Sequence, residues 1–315
     1  MNVVHSPLCR RKAPLRALIL PLVLIPVLFN PFQAGTYGQT GAPYRGKILF
    51  SSYLSGNWEI WSIHPDGTNP IQLTRSPEEK QYPSCSPDGS RIVYGNNQGE
   101  IVVAEPDGTA VKLDFIPQQS RYPAWSPDGG KIVFVAFEFK DGKETGDIWV
   151  ADLRERKVRR CTQGEGVKRN PRWSPDGSAI LYSSGRWGSG GRLIEELWLA
   201  DGEGKNPRPF VSDGHSNVQP AWSPDGKWVA FASNRDRSMD IWLVDRKGKN
   251  PRQLTRHRAY EGHPSWSPDG SMISFVSTRR ERMEIWVMAR DGTDERPLRE
   301  FSGSKGGERE PFWCP

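Results

Sequence analysis

The five histidines show no H-x-x-x-H or comparably tight ligand spacing, and no G-x-S-x-G elbow occurs anywhere in the 315 residues. The first absence argues against the common helical zinc arrangements. The second argues against a hydrolase nucleophile on a strand-to-helix turn. Acidic residues are missing from the first 34 positions, where Arg10, Arg11, Lys12 and Arg16 supply four of the six formal positive charges. Without them, 39 of the 43 basic residues face 37 acidic ones, and the remainder lacks the concentrated basic face that nucleic-acid binding requires. The densest later basic run, Arg154 to Arg160, contains Glu155 and reads as a solvated hairpin turn. No nucleic-acid partner is expected.

The apolar run Ala17 to Phe29 is thirteen residues long and interrupted by Pro21 and Pro26, too short to span a bilayer comfortably. Behind its basic lead it reads as a secretory signal peptide over residues 1–34. Retained, it would be an N-terminal anchor tethering the chain to a membrane. No clean Ala-x-Ala site follows, since cleavage after Ala34 leaves the bulky Phe32 at the −3 position. Cys9 precedes the run and so is not placed like a lipoprotein cysteine. Residues 35–44 read as a linker.

Glycine (32), proline (27) and tryptophan (13) are abundant, which suits many short strands and tight turns. The tetrapeptide Ser-Pro-Asp-Gly recurs from Ser86, Ser126, Ser174, Ser223 and Ser267, at separations of 40, 48, 49 and 44 residues. That period suits a four-stranded propeller blade. Each copy follows a strand such as "HPSW" and precedes an alternating stretch such as "KIVFV". A third strand then begins on an acid (Glu59, Glu100, Asp147, Glu196, Asp240 or Glu284), and a glycine turn leads to a short fourth strand. Arg45 starts like the strand after such a turn, and "EPFWCP" at Glu310 ends where the next turn belongs. The reading is all-β: a six-bladed β-propeller over residues 45–315, its ring closed by pairing the C-terminal strand with the N-terminal blade. The five aspartates are turn residues in this reading, with Pro, Asp and Gly at the positions a type I turn favours.

The pattern P-x-W-S-P-D-G, followed by an alternating strand, S-x-R, an acid-Ile-aromatic strand and D-G, resembles the WD40-like (PD40) repeats of TolB-type propellers. The resemblance covers Arg45 to Pro315, without space ahead of it for the α/β domain that TolB carries. It implies a periplasmic or secreted, non-enzymatic binding or scaffold propeller, monomeric, that recognises a protein or peptide partner in the cell envelope. The alternative is a channel-mouth enzyme of the propeller lyase or lactonase kind acting on envelope sugars. His215, His257, His263 and Glu261, in neighbouring inter-blade loops, are its best candidates. No catalytic residue, metal or cofactor is assigned.

Partner recognition is expected on the loop face. Tyr82, Tyr122, Asn170, Gln219, His263 and Glu310 precede the first strands and should ring the channel mouth there, their mixed polar types suiting either recognition of an asymmetric ligand or a wet channel. The loops between second and third strands are longest in the third and fourth units: 13 residues from Phe134 to Asp147 and 14 from Tyr182 to Glu196, against 6 to 9 elsewhere. The latter offers Trp187 beside Arg186 and Arg192, residue types that anchor interfaces. Trp125, Trp173, Trp222, Trp266 and Trp313 share one repeat position, with Cys85 in the sixth, and read as inter-blade core. Arg186, Arg235 and Arg279 are expected to pair with acids inside their blades. Cys85 and Cys314 fall at adjacent repeat positions in sequence-neighbouring blades. Their thiols face each other for one choice of strand orientation and diverge for the other.

Overall fold

The computed structural model describes residues 45–140, 143–164, 166–187, 193–299 and 307–315. The signal and linker segments expected at 1–34 and 35–44 lie outside these residues. Among the described residues every regular element is a β-strand, and each repeat folds as an antiparallel meander. The first strands (Lys80–Cys85, Ser120–Trp125, Val167–Trp173, Asn217–Trp222, Glu261–Trp266 and Glu308–Trp313) neighbour one another around a central channel.

Six separate blades are not what these meanders form. Four four-stranded sheets stand alone, while the third and fourth repeats join into one eight-stranded sheet. This corrects the six-bladed expectation. The cause is a parallel bridge between Gly146 and Val167. The strand Lys143–Asp152 begins four residues before its repeat acid, Asp147, and this extension reaches the next repeat's first strand. Gly146 has no room for a side chain, since a Cβ there would meet the ring of Phe137, its partner across the hairpin, at 2.9 Å. The alternation of hydrophobic residues shows which side chains face inward but carries no sign that two sheets will share an edge.

The chain ends meet as expected: Ile48–Ser52 pairs antiparallel with Glu308–Trp313, with Ile48 opposite Trp313 and Leu49 opposite Phe312. The orientation brings the two sulfurs together, and Cys85 and Cys314 form a disulfide with Cα atoms 5.5 Å apart. Both lie in one apolar cluster with Leu49, Ile60 and Ile92. Phe50, Phe134, Phe231 and Phe275 are fully buried at equivalent second-strand positions. Trp125, Trp266 and Trp313 are buried in clusters, and Trp173 and Trp222 pack half-buried against others.

In each Ser-Pro-Asp-Gly turn the glycine N–H donates to the serine carbonyl at 2.8–2.9 Å. The glycine takes a φ of 66° to 70°, which a Cβ would oppose. The serine hydroxyl donates to the aspartate at 2.5–2.6 Å. These bonds, those from Ser86, Ser174 and Ser267 first, pull Asp88, Asp176 and Asp269 down to about 2. The third-strand acids have a structural task as well. Glu59, Asp147 and Asp240 accept from Thr74, Thr162 and Thr255 on the far side of the fourth strand. Each threonine oxygen in turn accepts the N–H of the next isoleucine, at 2.9 Å. Arg235 and Arg279 choose other partners than these acids: Asp213 at 2.9 Å and Glu261 at 3.0 Å, each guanidinium lying over a third-strand Trp. Asp213 lies just ahead of the first strand of its blade and Glu261 begins that of the next, so the two arginines fasten neighbouring strands within the blade.

Candidate functional site

The six residues expected to precede the first strands lie inside them instead. Tyr82, Tyr122, Asn170, Gln219, His263 and Glu310 all have positive φ, between 50° and 59°. Each is followed by proline, and each falls where the ladder to the neighbouring strand shifts register. One extra residue in a bulge re-aims its side chain out of the sheet. A non-glycine residue in this conformation is held by its surroundings at some cost. The channel is thus lined by six strained positions in register.

Five of the six, all but Tyr122, line one narrow cavity of about 20 Å³ together with Arg172. Tyr122 packs its ring 4.3 Å from that of Tyr82 and 6.1 Å from that of Phe137. Two ring members brace their neighbours. Gln219 Oε1 accepts the His263 N–H at 2.8 Å, and Glu310 Oε2 accepts the Tyr82 N–H at 2.6 Å and the Ser51 hydroxyl at 3.0 Å. Gln219 also donates to Tyr260 Oη at 3.0 Å and meets His263 Nε2 at 2.8 Å.

Burial pushes His263 down to about 3, helped by the positive charges of Arg172 and Arg309. Its imidazole is therefore neutral at physiological pH, and Nε2 can accept from Gln219. Burial also raises Glu310, against the opposing pull of Arg309. Arg172 is lowered to about 10, again by burial, and stays charged at neutral pH. The site can therefore offer a cation, neutral donors and acceptors, and tyrosine faces.

The remaining enzyme candidates do not converge. His215 and His257 are exposed, and His257 Nδ1 accepts the N–H of Ala259. Glu261 is buried under Arg279 and Ser277, where burial pushes it up to about 7. Among the described residues no group of three or more His, Cys, Asp or Glu could hold a metal ion.

The long loops of the third and fourth repeats are strands for most of their length. Lys131–Lys140 pairs with Lys143–Asp152, and Ala179–Trp187 with Leu193–Asp201, where Trp187 faces Leu193 across the ladder. The side chains of Arg186 and Trp187, and Arg192 as a whole, lie outside the described residues. Ser120 opposes Ala136, so Phe137 to Lys140 rise past the start of the first strand, on the side of the polar ring. Phe139 stands there 76% exposed. Arg172 and Phe139 were missed in the sequence. Arg172 could have been found as the one charge at the x of P-x-W, where the other units carry Ser84, Ala124, Ala221, Ser265 and Phe312.

The fold has solved counterparts. A TolB structure from Acinetobacter baumannii superposes with a TM-score of 0.72 at 24% identity, covering 86% of this chain and 67% of that one. A putative TolB from Agrobacterium tumefaciens gives 0.68 at 19% identity, covering 85% and 99%. An oligogalacturonate lyase in complex with manganese gives 0.59 at 18% identity, covering 82% and 77%. Such identities carry the fold and nothing further. No curated protein matches the chain in sequence. The TolB beta propeller domain (PD40) matches residues 51–192 and 195–313, well over half of the sequence, and the chain belongs to that family.

Proposed function

We propose that the protein is an exported, non-enzymatic binding module that recognises a protein or peptide partner with the channel face carrying the polar ring and the two raised hairpins. The observation that carries this reading is the set of six positive-φ ring residues, five of which line one polar opening. A repeated fold with non-repeated side chains at one mouth suits an asymmetric ligand. Export is supported by the Cys85–Cys314 disulfide, since such bonds persist in oxidising compartments, and by the family's TolB members. The N-terminal residues 1–34 would serve as the signal or as a tether, and the chain would act as a monomer.

Affinity capture from an envelope extract with the tagged protein, followed by mass spectrometry, identifies the partner. Purified partner is then titrated against Trp187→Ala and His263→Ala. Loss of about 2 kcal/mol or more of affinity in either, with an unchanged melting temperature, assigns that element to the interface. If both variants bind like the parent, recognition does not use this face. The competing enzyme reading, on envelope sugars, has the fold of the manganese-bound lyase behind it. Turnover of such sugars by the same preparation, with added Mn2+, would replace the binding reading.

A further inference from the structure

The opposite mouth of the channel has a different chemistry. There Trp125, Trp173, Trp222, Trp266 and Trp313, with the prolines of the turns that follow, line a cavity of about 290 Å³. This is at the lower end of the range of small-molecule sites, which are mostly apolar with a few placed polar groups. Arg172 lines both this cavity and the polar one behind it, as do Pro264 and Pro311, and so stands where the two meet. Among the described residues it makes one hydrogen bond, to the Pro171 carbonyl at 3.1 Å, and no ion pair. Glu310, the acid whose charge it feels most, is already engaged by Ser51, the Tyr82 N–H and Arg309. His263, the nearest titratable base, is neutral. A half-buried cation with most of its N–H donors unused is therefore set at the floor of an aromatic funnel.

We propose that this funnel binds a small aromatic monocarboxylate, its ring against the tryptophans and its carboxylate on the Arg172 guanidinium. The planar fork of arginine matches a carboxylate with two parallel hydrogen bonds. A single negative charge fits better than a phosphate dianion, because Glu310 lies beyond Arg172 and repels a second charge. Flat rings suit the site because aromatic pairs gain from offset and edge contacts beyond the area they bury. The inference stands apart from the partner reading, since it concerns the other mouth and is tested with no partner present.

The test is calorimetric titration of the folded full-length protein with 2-naphthoate and with its neutral counterpart 2-naphthamide. The acid is expected to bind at least about tenfold more tightly than the amide, the worth of one charge-assisted hydrogen-bond pair. Arg172→Gln should abolish that preference, and Arg172→Lys should keep part of it. Equal affinities for acid and amide, an undiminished preference in Arg172→Gln, or no binding of either probe overturns the proposal. A second measurement does not depend on a variant folding: naphthoate should shift the indole N–H resonances of Trp125, Trp173 and Trp222 in the parent. Unmoved indole signals at saturating naphthoate would refute the site.

Discussion

Glu308 shows how far a single residue can be pushed by its place in this fold. It is 2% exposed, its carboxylate bonded by Arg299 at 2.9 Å, yet burial dominates and raises it to about 7 from an ordinary 4.5. A raised folded value means that the folded state holds the proton more tightly than the unfolded chain. The stabilisation is fully present below pH 4.5 and is lost as pH rises through 7. Glu261 contributes with the same sign. Melting temperature should therefore fall between pH 5 and pH 8, and Glu308→Gln should flatten that slope and raise the value at pH 8. An unchanged slope in the variant would mean that Arg299 outweighs burial. The turn aspartates act in the other direction and in another window. Asp269 is held near 2 by Ser267 and Ser271, so its contribution is present at neutral pH and lost as pH drops toward 2. Asp269→Ala should cost about 1 kcal/mol in chemical denaturation and leave ligand binding at either mouth as it was. A loss of binding without loss of stability would return the aspartates to chemistry.

Among the elements, the Trp-bearing first strands and the closing strand carry the stability. Trp266 is 6% exposed, packs against Ile273, Phe275 and Ala221, and donates to the Ala221 carbonyl at 3.2 Å. Trp266→Ala should cost roughly 3–5 kcal/mol by urea titration. The disulfide acts at the same level, because it ties the strand Glu308–Trp313 to the neighbouring first strand Lys80–Cys85 across 229 residues of chain. Cys314→Ser, or reduction of the parent, should lower stability by about 2–5 kcal/mol. Equal melting temperatures with and without reductant would show that strand packing alone holds the seam. The hairpins Lys131–Asp152 and Ala179–Asp201 were legible in the sequence as long connections but not as paired strands. The sequence there, "EFKDGKETG" and "GRWGSGGRL", is polar and glycine-rich, and for the described residues Glu138–Lys140, Lys143–Gly146, Gly185–Trp187 and Leu193 it is cross-strand pairing that makes them strand.

At the scale of the molecule the fold is a ring closed by its two ends. Deleting Glu310 to Pro315 removes the partners of Ile48 and Leu49 and half of the disulfide. It would leave the edge of a buried strand open to water or to another chain. The truncated protein should melt far below the parent and associate on gel filtration; a truncated monomer as stable as the parent would show that the ring closes without this strand.

The repeats by themselves determined the class of the fold, because a four-times-recurring strand signal with turn chemistry in register admits few arrangements. They determined too that the aspartates serve turns and that the chain ends complete one meander, since each claim rests on local residue types. The number of separate blades was not local information. Whether the third and fourth repeats stand apart or share an edge depends on Gly146 meeting Val167, a contact that neither segment announces. The candidate site divides in the same way. The ring positions Tyr82 to Glu310 could be found by aligning the repeats, but the register shift that places them inside their strands could not. Nor could the sequence tell that Gln219 and Glu310 are partly occupied in bonding their neighbours' backbone, or that Arg172 makes no ion pair among the described residues. Those facts depend on which strands come side by side around the channel, and tertiary packing alone decides that.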